Sequence, residues 1–161
     1  MTRSVKSIPK EDYGAEYQNH LFEQYKLYVE MADRVSARRM LANSFFVAAN
    51  TTFAIAFTVL LRTDMLKTEL LIGVPVVALL LLCYVWNRVM KSYRQLNSGK
   101  FKIVHELEQM LPVAPYDAEW LVLGEGNDRK RYKPLTDVEK WVPVCFGLLY
   151  VSWAVVFCFK G

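Results

Sequence analysis

The sequence predicts an all-α integral membrane protein with three transmembrane helices, in which the long first and second helices extend into the cytoplasm as an antiparallel stalk. Three observations predict this fold. Residues 41–61, 70–86 and 141–159 form long apolar stretches without a charged residue. Basic residues are concentrated before the first stretch and between the second and the third. Apolar residues also continue at helical spacing beyond the first two stretches, among charged residues.

Each apolar stretch is long enough to cross a bilayer. A helix rises about 1.5 Å per residue and the hydrocarbon core is about 30 Å thick, so about 20 apolar residues span it. Buried core helices are the alternative, but a chain of 161 residues leaves almost nothing to cover three of them. We therefore predict spans at residues 41–61, 70–88 and 141–159. The second span is lengthened by Asn87 and the apolar stem of Arg88.

The N-terminal segment and the cysteines indicate neither a secretory signal nor a disulfide framework. Residues 1–40 are rich in charged residues and lack the apolar core of a signal peptide. Cys83, Cys145 and Cys158 all lie inside the apolar stretches. We interpret them as small packing residues and not as disulfide or zinc-binding cysteines.

The distribution of basic residues predicts the orientation. Cytoplasmic loops of membrane proteins carry the excess of Lys and Arg. Of the 20 Lys and Arg residues, seven lie in residues 1–40 and ten in residues 87–140. We therefore expect the N-terminus and residues 89–140 in the cytoplasm, and the short loop 62–69 and the C-terminal residues 160–161 outside.

The first two spans are predicted to continue as cytoplasmic helices. We expect one helix from about Ala15 to Leu61, which begins within the cytoplasmic amphipathic segment 1–40, and another from about Leu70 to Met110. The tight loop makes them antiparallel neighbours, whose apolar stripes bury each other. The alternative is that the stripes lie on lipid headgroups, which their acidic residues disfavour. Asn97 to Gly99 is a candidate kink. The stripes are Leu21, Tyr25, Tyr28, Ala32 and Val35, and Val89, Tyr93, Leu96, Ile103, Leu107 and Met110.

Short elements are predicted between the second and the third span. Pro112 and Pro115 end the second helix, and Asp117 is expected to cap a short helix at residues 118–123. Residues 124–134 have the composition of a loop. Thr136 and Glu139 then have the spacing of a capping box and are expected to start the third spanning helix.

The sequence predicts no catalytic residue, no cofactor and no metal site. The apolar stretches contain no Asp, Glu, Lys, Arg or His, whereas proton relays, ion-coupled transporters and intramembrane proteases need such groups at depth. His105 is followed by Glu106, but no second His stands four residues later, so the zinc-binding helix motif is incomplete. We interpret residues 105–108 as a charge cluster on a helix surface, and we expect a protein that is not an enzyme.

Three groups of residues are candidates for a functional role. Polar residues in the first span either bond to a neighbouring helix or line a pore. A basic segment close to the third span is a candidate contact for lipid headgroups, or is simply the signal that sets orientation. No nucleic-acid binding is expected there. The polar residues are Asn43, Asn50 and Thr51, the basic residues are Arg129, Lys130, Arg131 and Lys133, and a candidate surface for a cytoplasmic partner is Glu119 with Trp120.

Several short motifs in the second half of the chain carry a family resemblance. They are SYRQLN at 92–97, KF at 100–101, HELE at 105–108, LP at 111–112, PYDAEW at 115–120, PLT at 134–136 and VP at 142–143. With these motifs the chain resembles the RipA-type octameric membrane proteins of bacteria. The resemblance implies a bacterial inner-membrane protein that forms a ring of eight subunits and has no well-defined biochemical activity. The layout also looks like that of the SLATT effectors, which are thought to form pores, although the third span departs from that pattern.

Two functions of different class follow as expectations. In the first, the oligomer forms a pore gated by its stalk, with Asn50 and Thr51 lining it, so that Asn50→Leu abolishes flux without disrupting the assembly. In the second, the protein is a membrane scaffold or stress-adaptation factor that recruits a cytoplasmic protein through Glu119 and Trp120 or the basic segment. The sequence leaves both open.

Overall fold

The computed structural model describes residues 5, 7–62, 69–128 and 130–160, and every regular element in these ranges is helical. Two compact units are present. We call residues 1–38 with 93–134 the charged unit, and residues 39–92 with 135–161 the apolar unit. The elements are α1 (Lys10–Tyr13), α2 (Tyr17–Arg62), α3 (Glu69–Glu108), α4 (Pro115–Val122), a 3₁₀ turn (Gly124–Gly126), α5 (Leu135–Glu139) and α6 (Trp141–Lys160).

The two long helices are confirmed to within a few residues at each end. Gly14 separates α1 from α2 because its φ of 93° lies in the left-handed region, which a glycine adopts without strain. Residues 97–99, the candidate kink, lie inside the continuous helix α3. One glycine in a helix costs only about 1 kcal/mol, and the helix on either side of Gly99 is long enough to absorb that cost.

Among the residues that the structure describes, three helices are long and apolar enough to span a membrane, as predicted. They are the helices that contain residues 41–61, 73–86 and 141–156, namely α2, α3 and α6. Most of the predicted external loop, residues 63–68, lies outside the described residues.

The two short helices begin earlier than predicted. Helix α4 starts at Pro115, which suits the first helical position because it has no N–H to leave unpaired. Asp117 is therefore the third residue of α4, and the prediction that it caps the helix was wrong. Helix α5 starts at Leu135, so Thr136 is inside it and not before it. The predicted capping box was also wrong, since the spanning helix α6 starts separately at Trp141.

Within the charged unit, α2 and α3 are antiparallel and bury their apolar stripes. The Tyr17 hydroxyl lies 3.9 Å from the sulfur of Met110, and the Lys100 ammonium lies over the Tyr28 ring at 4.6 Å. Residue numbers therefore rise along α2 as they fall along α3. Four residues of the predicted stripes are buried in the core, namely Leu21, Ala32, Val35 and Leu107. The prediction was wrong for Leu96, which is 50% exposed, and it missed Val104, which is fully buried.

Within the apolar unit, the three spanning helices pack through aromatic side chains. Phe46 of α2 stacks on Trp86 of α3 with ring centres 5.7 Å apart, and Trp86 lies 6.0 Å from Phe146 of α6. Large rings fill the space between helices and pair in offset or tilted arrangements. The remaining buried cluster consists of Phe57, Val76, Leu79, Cys83 and Tyr150.

Candidate functional site

Asn50 lies at the centre of the apolar unit and contacts all three spanning helices. Its side-chain N–H donates to the carbonyl oxygen of Phe46 one turn earlier, at 2.8 Å. Its side-chain oxygen accepts from the hydroxyl of Tyr150 on α6 at 2.9 Å and from the thiol of Cys83 on α3 at 3.5 Å. Asn50 and Tyr150 are both fully buried. The sequence left a bond between helices and a pore lining open for Asn50, and these contacts are bonds between helices of one subunit.

The physical reason for this arrangement is the cost of an unpaired amide away from water. A buried amide without a partner costs several kcal/mol in an apolar medium. The Tyr150 hydroxyl also lies 3.2 Å from the backbone oxygen of Asn50, so its one proton has two acceptors within reach. The Asn50 cluster therefore specifies how α2, α3 and α6 pack, because a rotation of any one helix would leave a polar group unpaired.

Asn43 has a similar role two turns earlier on α2. Its side-chain oxygen accepts a hydrogen bond of 3.0 Å from the indole N–H of Trp86, which is itself fully buried. A buried tryptophan needs such an acceptor for its N–H. Asn43 and Asn50 thus both connect α2 to other helices within the subunit.

Thr51 is placed differently from its neighbour. It is exposed on the subunit surface, on the same stripe of α2 as Ser44, Ala48 and Ile55, which are also exposed. Residues seven apart on a helix lie almost in line, so the hydroxyl-bearing residues Ser44 and Thr51 lie on one face. The structure therefore separates the three predicted polar residues into two that point inward and one that faces outward.

An ion pair at the edge of the apolar unit was missed by the sequence analysis. Arg39 of α2 is paired with Glu139 of α5, and their side chains are only 16% and 14% exposed. Both residues stand two positions before an apolar stretch. Opposite charges at matching distances from two spans are a signal that could have predicted the pair. The Arg39–Glu139 pair connects α2 to the segment that leads into α6.

Glu108 is the central polar residue of the charged unit, and its interpretation as a surface charge was wrong. Its carboxylate is almost completely buried. One oxygen accepts from the Tyr25 hydroxyl at 2.8 Å and from the Tyr116 backbone N–H at 3.1 Å, and the other accepts from the Asp117 N–H at 3.0 Å. Glu108 follows the buried Val104 by one helical turn, a spacing that could have predicted its burial.

These contacts make Glu108 the N-terminal cap of α4. The first N–H groups of a helix lack partners within the helix and bind anions well. Ala114, the residue before α4, provides no side-chain cap, and Glu108 supplies it from α3. Burial raises the pKa of the Tyr25 hydroxyl, and its hydrogen bond to Glu108 and the charge of that carboxylate raise the pKa further.

The predicted partner surface, Glu119 and Trp120, is only partly free. Glu119 is exposed and Trp120 is 40% exposed. The Trp120 ring packs on the turn at Gly126, where an added Cβ would lie 3.1 Å from the ring. Gly126 also has a φ of 75°, which favours glycine. Trp120 therefore holds the 3₁₀ turn against α4 with part of its ring.

The described residues of the basic segment lie at the surface. Lys130, Arg131 and Lys133 are exposed, and Arg129 lies outside the described residues. Asp128 accepts from the Lys130 backbone N–H at 2.9 Å and lies 3.4 Å from the Arg131 side chain. The segment therefore presents basic side chains from a turn organised by one aspartate. Among the residues that the structure describes, no three His, Cys, Asp or Glu side chains form a group that could hold a metal ion.

A comparison with protein families matches this architecture to one of them. The model of the octameric membrane protein family (8xMP) matches residues 22–160, which include all of α3 to α6 and most of α2. Curated proteins and solved structures gave no match. The resemblance seen in the sequence is thereby confirmed, and the chain belongs to the octameric membrane protein family.

Proposed function

We propose that eight copies of this chain form a ring in the bacterial inner membrane and that the ring encloses a pore, without enzymatic activity. The single observation that carries the proposal is the exposed stripe of α2 with Ser44 and Thr51. Hydroxyl groups on the outer face of an apolar helix favour contact with water or with a neighbouring helix over contact with lipid. Asn43 and Asn50 already have partners inside the subunit, so Ser44 and Thr51, the two exposed hydroxyls on one stripe, are the polar groups proposed for a lining.

The subunit count favours a lumen. Three packed helices leave no conduit, so a path must form between copies. Eight helices spaced about 9 Å apart form a circle with a radius of about 12 Å. A helix with its side chains has a radius of about 5 Å, so such a ring leaves an opening of about 7 Å radius. With α2 innermost, eight copies of Ser44 and Thr51 would form two rings of hydroxyl groups.

We propose that the charged unit and the N-terminus face the cytoplasm. Seventeen of the 20 Lys and Arg residues lie in residues 1–40 and 87–140, on one side of the three spans. In this orientation Lys130, Arg131 and Lys133, together with Arg129, contact anionic lipid headgroups, to which each basic residue near the surface contributes about 1 kcal/mol. Loop 62–69 and the C-terminus are then external.

Flux through reconstituted octamers tests the pore. The purified protein is placed in liposomes, and ion flux is measured for the wild type, Thr51→Leu and Thr52→Leu. Thr52 is the matched control, because it is the same residue type, is also exposed, and lies about 100° around the helix. We expect Thr51→Leu to reduce flux several-fold and Thr52→Leu to leave it unchanged. An intact wild-type octamer without flux, or equal flux in all three proteins, would contradict the proposal.

A membrane scaffold is the second candidate, and the charged unit favours it. The buried Glu108 carboxylate holds α4 in place, and α4 has exposed residues that a partner could contact. In this alternative Glu119 and the basic residues bind a cytoplasmic protein. Glu119→Lys or Lys130→Glu would then lose that protein from membrane pull-downs while permeability stays unchanged.

A further inference from the structure

Helix α4 presents an apolar face to the outside of the charged unit. Its inner side is defined by Tyr116 and Asp117, which contact α3. On the other sides, Leu121 is 56% and Val122 is 72% exposed, and Val113 just before the helix is 71% exposed. Large exposed apolar side chains grouped on one short helix of a charged unit favour an interaction surface. We call Val113, Leu121 and Val122 the α4 patch.

A second exposed apolar patch lies on α2. Leu27 is 58% and Met31 is 44% exposed, and the two are one helical turn apart. The exposed Arg34 and Arg38 continue the same side of the helix. We call Leu27 and Met31 the α2 patch. Its rim contains the Glu30–Arg34 ion pair of 2.7 Å and the basic Arg38. The exposed Glu119 makes the neighbourhood of the α4 patch acidic.

The two patches lie on opposite flanks of the α2–α3 pair. Tyr25 bonds to Glu108, which holds α4, so Tyr25 marks the flank that carries α4. The Tyr28 ring contacts the Lys100 ammonium and marks the other flank. Each step of three residues turns a helix by about 60° in the same sense. Met31 therefore lies beyond Tyr28, on the side away from α4.

The starts of the two patches, Val113 and Leu27, also lie near one level along the helices. Tyr25 and the start of α4 bond to the same carboxylate, that of Glu108, and Leu27 is two residues from Tyr25. A cyclic ring joins two different faces of each subunit without a shift along its axis. Only faces on opposite flanks and at one level can meet in this way.

From these placements we infer that the α4 patch of one subunit binds the α2 patch of the next subunit around the ring. The inference rests on the octameric assembly of the family but not on the presence of a pore. It assigns Val113, Leu121 and Val122 to one half of a head-to-tail contact, and Leu27 and Met31 to the other half. Arg38 at the rim of the α2 patch faces the acidic neighbourhood of Glu119 across it.

Disulfide trapping tests this contact. Met31→Cys and Val122→Cys are combined in a chain whose Cys83, Cys145 and Cys158 are replaced by Ala, and membranes are oxidised before denaturing electrophoresis. Because every interface of a head-to-tail ring contains one such pair, we expect a ladder of covalent species that extends to the octamer. The matched control pairs Met31→Cys with Lys102→Cys, which is on the outward face of α3, and should give no ladder.

Native mass measured on the same samples separates the possible failures. An octamer without the ladder would overturn the contact and leave the assembly intact. A ladder that stops at the dimer would indicate a two-fold contact, and a cross-link to another protein would indicate a different partner, so both outcomes overturn the inference. A wild-type protein without an octameric mass would remove the premise. If the five-fold variant fails to assemble, co-expression of the two single-cysteine chains still predicts a covalent dimer that neither chain forms alone.

Discussion

The hydroxyl of Tyr150 donates a hydrogen bond of 2.9 Å to the side-chain oxygen of Asn50, a hundred residues earlier in the chain. Together with Cys83, this bond gives the three spanning helices a common polar centre. Bonds of this kind between membrane helices are each worth about 1 kcal/mol. The centre therefore contributes specificity of packing more than it contributes stability.

Asn50→Leu should destabilise the subunit by about 1 to 3 kcal/mol, because it removes the acceptor for Tyr150 and Cys83. Tyr150→Phe removes only the donor and should cost less. Thermal unfolding in detergent, with the double variant included, measures the coupling between the two residues. Additive losses would contradict a direct bond. A loss of flux in Asn50→Leu would follow from altered packing and would not identify a lining residue, contrary to the expectation from sequence.

Arg39→Met should destabilise the apolar unit by about 1 to 3 kcal/mol, because it leaves the poorly exposed Glu139 without its partner. Lys140 and Asp137 form the matched control, an exposed pair of 3.1 Å in the same segment. Lys140→Met should cost less than about 1 kcal/mol, as exposed ion pairs do. Melting temperatures of the two variants are compared. Equal shifts would show that burial adds nothing to the Arg39–Glu139 pair.

The charged unit should lose stability as the pH rises above 10. The pKa of Tyr25 is raised from its ordinary value of 10.0 by burial and by Glu108. A raised pKa means that folding favours the neutral hydroxyl, so the contribution is fully present below pH 10 and is lost as the pH rises further. Melting temperatures between pH 8 and 11.5 measure this loss, and Tyr25→Phe should flatten the curve. Glu108→Gln should bring the Tyr25 pKa closer to 10. If the melting temperature of Tyr25→Phe falls with pH as steeply as that of the wild type, other titrating groups cause the loss of stability.

Gly126→Ala and Gly99→Ala should change stability in opposite directions. Gly126 has a positive φ and its added methyl would press on the Trp120 ring, so the substitution should destabilise the turn by about 1 kcal/mol and shift Trp120 fluorescence. Gly99 lies inside α3 with open space around it, so alanine should stabilise that helix by about 0.5 to 1 kcal/mol. Destabilisation by Gly99→Ala would mean that a neighbouring subunit approaches α3 at this position.

Much of the fold could be predicted because it depends on local properties of the chain. The lengths of the apolar stretches predicted three spanning helices, and the spacing of Leu21, Ala32 and Val35 predicted which side of α2 is buried. The short elements were predicted less well. Pro115 and Leu135 begin helices that Asp117 and Thr136 were expected to cap, since the cap of α4 comes from Glu108 on another helix.

The sequence by itself determined the membrane class, the three spans and the family, because hydrophobic length and motif order do not depend on contacts between distant residues. Only the tertiary structure decided what the polar residues do. Asn50 and Thr51 are adjacent in sequence, yet one lies in the subunit interior and the other on its surface, because successive residues of a helix point about 100° apart. The positions of α3 and α6 decide whether the side of Asn50 or the side of Thr51 faces the subunit interior. The sequence of α2 alone does not indicate where those two helices pack.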